Sequence, residues 1–124
     1  MLPLSEAAPT VIAAAPVIAP GELVLTTDGR SPVSSFTTLK QRIDEASSVT
    51  SWRLHDLRRT ARTLLARAGV GADTAERCLG HAIGGIRSVY DRHRYEAEMR
   101  GAFEALAELI EQIVGNGWTQ PPGR

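Results

Sequence analysis

Four residues of this chain have types and spacings that could act together on a phosphate ester. His55 and Arg58 stand in the string Arg53-Leu54-His55-Asp56-Leu57-Arg58-Arg59-Thr60. His81 closes Leu79-Gly80-His81, and Tyr90 ends Ser88-Val89-Tyr90. A phosphodiester gathers negative charge on its non-bridging oxygens during substitution. An arginine set against those oxygens therefore stabilises the transition state more than the ground state. Arg58 is the candidate for that role. His81 could donate a hydrogen bond to the same phosphate, and His55 could orient or deprotonate a nucleophile. Tyr90 is the candidate nucleophile. A phenol with a pKa of about 10 needs nearby positive charge and a proton acceptor to attack.

The charge distribution supports such a partner although the net charge is zero. Residues 53–94 hold nine arginines against four acids, and all three histidines. The remainder holds five basic residues against ten acids. Arginine's planar fork suits phosphate better than a lysine ammonium does. Arg53, Arg59, Arg62 and Arg87 are the further candidates for DNA contact. A solvated set of helix faces would also account for the arginines taken alone.

The ordered set His-x-x-Arg, Leu-Gly-His, Tyr resembles the C-terminal catalytic half of the tyrosine recombinases, the phage-type integrases. The resemblance covers roughly residues 1–114 and is strongest from Trp52 to Tyr95. It implies strand cleavage and rejoining through a 3′-phosphotyrosine intermediate, in site-specific recombination or DNA integration. The implied catalytic set is His55, Arg58, His81 and Tyr90. Arg58 is preferred over Arg59 because the family pattern places the arginine three residues after the histidine. The resemblance also implies a further arginine, and a lysine on a β-hairpin, upstream of the segment that Leu2-Pro3-Leu4-Ser5 resembles. The only lysine, Lys40, is not at that position. The expectation is an N-terminally truncated catalytic domain, inactive alone, arising as a remnant, a split gene or a mis-started frame.

The elements that must position these residues follow from pattern. At 124 residues the chain is long enough for one small domain. The expected fold is mainly α, a partial recombinase catalytic domain over 1–114 with one or two short residual strands. A disordered Gly- and Pro-rich tail is expected over 115–124. Leu2-Pro3-Leu4 reads as the tail of a strand, and Leu23-Val24-Leu25-Thr26 as a strand stopped at Asp28-Gly29. Ser5 would cap a short helix through about Ala15. Ser34 or Ser35 would cap another through about Ala46, with Phe36, Leu39 and Ile43 on one face.

A helix over 54–68 should bury Leu57, Ala61, Leu64, Leu65 and Ala68 and hold His55, Arg58 and Arg62 beside that face. Gly69 should stop it in a left-handed cap. Asp73 or Thr74 should start a short helix ending near Leu79, after which Gly80 turns the chain to present His81. A long amphipathic helix over 95–114 carries Met99, Ala102, Phe103, Leu106, Leu109, Ile110 and Ile113.

Expected partners are double-stranded DNA and, through this last helix, a second copy or intact recombinase subunits. No cofactor is implied. A metal site from His55, His81 and His93 lacks a supporting carboxylate or cysteine pattern. The single Cys78 reads as helix packing and suits a reducing cytoplasm. No apolar run reaches membrane-spanning length, and the N-terminus lacks the positive start of an export signal. The competing functional reading is a non-catalytic DNA-binding module, with residues 63–79 as a helix-turn-helix, or a remnant that only binds recombinase subunits.

Overall fold

The computed structural model describes residues 2–18, 23–81 and 92–115. The chain is mainly helical, with α1 at Ala7–Ala13, α2 at Phe36–Ser47, α3 at Leu54–Arg67, α4 at Ala72–Cys78 and α5 at Arg92–Val114. Tyr90, Arg87 and residues 116–124 of the expected tail lie outside the described residues.

The centre of the molecule is the mutual packing of α3, α4 and α5. Leu65 of α3, Ala75 and Cys78 of α4 and Ala102 of α5 are buried, with Val70, Met99, Phe103 and Leu106 closing around them. Two of the four buried residues are alanines, whose small side chains permit close helix approach. Among the described residues Leu65 is the one large side chain that is fully enclosed. Its burial contributes about 1.5–3 kcal/mol. Two polar ties join α4 to α5. The Arg77 guanidinium lies 3.6 Å from the centroid of the Tyr95 ring, and the Thr74 hydroxyl donates to the Glu98 carboxylate at 3.5 Å.

Both ends of α3 are set by local chemistry. The Arg53 N–H donates to the Asp56 carboxylate at 2.9 Å, one arm of a helix-start box. Asp56 also sits in the first turn, where the helix dipole favours an anion. The N–H of Arg53, then the charge of Arg59, hold its carboxyl below the usual range. At the other end Gly69 adopts φ +79°, while its N–H reaches the Ala66 carbonyl and that of Val70 the Leu65 carbonyl. This double bond pattern is a Schellman stop, completed by Val70 packing on the core. The expected role of Gly69 is therefore observed.

Helix α4 begins earlier than expected. Gly71, not Asp73 or Thr74, precedes its first turn, and its carbonyl accepts from Ala75 at 2.9 Å. A second Schellman stop ends it. Gly80 has φ +73° and donates to Arg77, while His81 N–H donates to the Glu76 carbonyl at 3.0 Å. Two hydrogen bonds thus lock the turn that presents His81.

Three expectations need correction. The residual strands do not form among the described residues: Leu2–Leu4 has no partner strand, and Leu23–Thr26 yields only an isolated bridge from Thr26 to Pro32. The Asp28 carboxylate accepts the N–H groups of Arg30 and Ser31, both at 2.9 Å, and closes a tight turn instead of a ladder. Those bonds hold its pKa far below the ordinary value. Second, Leu57 is 59% exposed rather than core, because the first turns of α3 run past the cluster that gathers at Leu65. Third, Ser5 is not the residue before α1; Glu6 is, and its N–H donates to the Glu104 carboxylate of α5 at 2.9 Å. Helix α1 therefore lies by the far half of α5. A groove of about 260 Å³ there is lined by Ala8, Val11, Ala107 and Ile110 among others. Leu109 and Ile110 are half-buried, while Ile113 stays 54% exposed. Among the described residues no helix is long and apolar enough to cross a membrane.

Candidate functional site

An open cleft of about 340 Å³ lies where α3 meets the end of α4. It is lined by His55, Arg58, Arg59, Arg62 and Thr63 of α3, and by Glu76, Leu79 and His81. The helical repeat explains the α3 contribution. Positions 55, 58, 59 and 62 are three or four residues apart and share one side of the helix. His81 joins them across the corner because the Gly80 turn reverses the chain at the end of α4. Of the expected catalytic residues, His55, Arg58 and His81 are therefore brought together. Arg59 and Arg62 also line the cleft, and Arg53 does not.

Each charged group has a definite setting. The Arg58 guanidinium is part-buried, and its Nη2 donates to the Leu79 carbonyl. This bond satisfies one of the carbonyls that a helix end leaves without an intrahelical partner. It also fixes Arg58 two residues from His81 along the chain. Arg62 Nε donates to Glu76 Oε1 at 2.7 Å. His81 Nδ1 bonds to the other oxygen, Glu76 Oε2. His81, then Arg62, hold the Glu76 carboxyl below the usual carboxylate range. Arg59 is mostly exposed, with Nη1 3.5 Å from the Asp56 carboxylate. His55 is exposed near the start of α3.

Three guanidinium groups, two imidazoles and one carboxylate thus line the cleft among the described residues. Each guanidinium carries five N–H donors, and the bonds above engage a minority of those on Arg58 and Arg62. The arrangement is suited to an oxyanion with several acceptor oxygens. Lys40 has no part in it. Its ammonium is 2.5 Å from the Asp44 carboxylate and 5.0 Å from the centroid of the Trp52 ring. No group of three or more histidines, cysteines, aspartates or glutamates able to hold a metal occurs among the described residues. The side chain of His93 lies outside them. Cys78 is buried in the core cluster, and burial pushes its thiol pKa up.

Sequence reasoning missed Glu76, which entered only as one of the acids of the basic segment. The signal for it is indirect. It sits one helix turn and a glycine stop before His81, a distance that becomes short only once the chain reverses. The backbone carbonyl of Leu79, the anchor of Arg58, has no sequence signature at all.

No family model matches the chain, and neither a curated protein nor a solved structure matches it. What the cleft does must be read from its own residues and from the motifs they form.

Proposed function

We propose that the α3–α4 cleft binds the phosphodiester backbone of double-stranded DNA, and that it belongs to a strand-cleaving and rejoining reaction of the tyrosine-recombinase type. The single observation that carries this reading is the convergence of His55, Arg58 and His81 in one cleft, with Arg59 and Arg62 beside them. They are separated in sequence by up to 26 positions. In this reading Arg58 lies against the non-bridging oxygens, His81 donates to one of them, and His55 orients or deprotonates the nucleophile. The Tyr90 oxygen forms a bond to phosphorus as the bond from phosphorus to the 5′ oxygen breaks. The phenolic proton passes to a base, and the leaving oxygen takes up a proton. Religation reverses these events, so the phosphotyrosine conserves the energy of the broken strand and no ATP is consumed. The chain then serves as part of a catalytic domain in recombination or integration. The lysine and the further arginine that the resemblance implies are not among the residues of this cleft.

A second reading has its own observation. The bond from Arg58 to the Leu79 carbonyl, and the tight stop between α3 and α4, are what a non-catalytic helix-turn-helix-like DNA binder or subunit-binding remnant would need for stability alone. Two measurements separate the cases. Binding of duplex DNA should weaken steeply as salt rises, and Arg58→Ala with Arg62→Ala should flatten the slope by about one to two. On a nicked duplex, a covalent adduct that survives a denaturing gel and disappears in Tyr90→Phe marks strand cleavage. Salt-dependent binding without an adduct marks the second reading. Absence of DNA binding at low salt removes DNA from both.

A further inference from the structure

Among the described residues Glu76 is the one acid lining the cleft, and the roles given above leave it unexplained. Its geometry is specific. One carboxylate oxygen is held by Arg62 Nε at 2.7 Å, and the other takes His81 Nδ1. The backbone ties the same two residues, since the His81 N–H donates to the Glu76 carbonyl at 3.0 Å. We infer that Glu76 is a positioning residue of the cleft: anchored by Arg62, it holds the His81 ring by Nδ1 and leaves Nε2 as the atom that meets a phosphodiester oxygen. This rests on the phosphodiester reading of the cleft.

The chemistry follows from imidazole's two nitrogens. A carboxylate accepts, so the nitrogen facing it carries a proton. In neutral His81 that proton is on Nδ1, and Nε2 bears the lone pair. In the protonated ring Nε2 gains the N–H that a phosphate oxygen accepts, and the Glu76 charge supports the cation. The other ionisable groups lining the cleft are His55, Arg58, Arg59 and Arg62, all from α3. The carboxylate at Nδ1 fixes which face of the ring is turned to the cleft. Carboxylate partners fix tautomer and ring orientation in the same way for metal-binding histidines.

A rival role for the same carboxylate is that of a stand-in for the phosphate, to be displaced when DNA arrives. Nitrogen-15 spectroscopy of the histidine side chains separates the two, with His81 assigned from its loss in His81→Gln. At about pH 8, above the ordinary histidine pKa of about 6.5, the wild type should show His81 as the Nδ1–H tautomer. Glu76→Ala should lose that preference. Glu76→Gln keeps the side-chain size but offers one acceptor oxygen to two donors, Arg62 Nε and His81 Nδ1, so it should also weaken the tautomer preference and serves as the folded variant if the alanine variant unfolds. At about pH 6, with duplex DNA at saturation, the wild-type Nε2 signal should shift while Nδ1 stays in place. In Glu76→Gln, which lacks the charge, the Nε2 shift should fall by at least half.

An Nε2–H tautomer in the wild type overturns the inference and leaves the phosphodiester reading to its own test. A DNA-induced shift at Nδ1 also overturns it, in favour of displacement. An Nε2 response unchanged in Glu76→Gln overturns it as well. A wild type that has the expected tautomer but binds no DNA sinks the phosphodiester reading, and the role of Glu76 falls with it.

Discussion

Helices α2 and α3 are both amphipathic in sequence, yet one is built into the molecule and the other is not. In α3, Leu65 is 1% exposed and faces α4 and α5. In α2, the stripe of Phe36, Leu39 and Ile43 is 54%, 41% and 40% exposed. What holds α2 is short-range: Lys40 pairs with Asp44, Lys40 also reaches the Thr50 carbonyl at 3.3 Å, and the Ser47 hydroxyl donates to the Ile43 carbonyl at 2.7 Å. An apolar stripe therefore predicts a helix but not a partner. The partner is decided by where the chain turns next. After α3 two glycine stops fold α4 back, and α5 closes on both. After α2 the left-handed Ser48 (φ 58°) also turns the chain, but what it brings back is Thr50 and Trp52 against Lys40, not a helix against the apolar stripe.

The largest expected effect tests the built side of this comparison. Leu65→Ala should cost about 2–5 kcal/mol, as large-to-small changes at enclosed sites do. With only four buried residues in the cluster, that loss should show as a large fall in the urea midpoint, or as an unfolded chain. A cost under about 1 kcal/mol would mean that α3, α4 and α5 do not pack as described.

This contrast also marks how far the sequence could be read. The periodicity of 54–67 and 92–114, and the glycines that stop α3 and α4, are local signals, and they located those elements within a few residues. His55 and Arg58 share one side of α3 by helical spacing, and Gly80 marks the turn before His81; their meeting in one cleft depends on how α4 packs on α3. Leu57 could not be told from Leu65, since both lie in the same periodic stripe and only the position of α5 distinguishes them. Leu23–Thr26 has a strand's composition, but a strand needs a second strand. The Asp28 turn satisfies its backbone locally instead. Glu76 was hidden because its importance arises from two partners, one 14 residues before it and one five residues after it.

Glycine substitutions sharpen the comparison at the next level. Gly69 and Gly80 have φ of +79° and +73°, and an added Cβ would meet nothing within 4 Å at either. The cost of alanine there is purely conformational, about 1–2 kcal/mol. Gly101, inside α5 and equally open, should respond with the opposite sign: alanine stabilises a helix interior by up to about 1 kcal/mol. Thermal melts of the three single variants check this. The Gly80 variant should also weaken DNA binding, since it disturbs His81, whereas the Gly101 variant should not.

Acid should loosen the start of α3 and the tie between α3 and α4. Glu76 and Asp56 both have carboxyls held below their ordinary values, by His81 then Arg62 and by the Arg53 N–H then Arg59. Their contribution is present above the unfolded carboxyl pKa of about 4 and is lost as pH falls through the depressed folded values. The urea midpoint of the wild type should therefore drop below about pH 4 more steeply than that of Glu76→Gln. Equal slopes would mean that the pairing of Glu76 adds nothing to stability. These groups are solvent-accessible, so the effect should be smaller than that of the glycines.

The smallest expected effect bears on α2. If its stripe faces water in the isolated chain, Leu39→Ser removes little buried area, and the urea midpoint should move by no more than about 0.5 kcal/mol equivalent. Such a change would lie within the range of ordinary surface substitutions, and it would leave the cleft on α3 untouched. Helix content should hardly change, because Leu39 lies among residues held by Lys40, Asp44 and Ser47 through local bonds. A loss of about 2 kcal/mol or more, in the range of a buried leucine, would show that the stripe is covered in solution. Repeating the melt over a wide range of protein concentration would then identify the cover. A destabilisation that grows with dilution in the wild type alone places a second copy on the stripe; one that ignores concentration places α2 against its own chain.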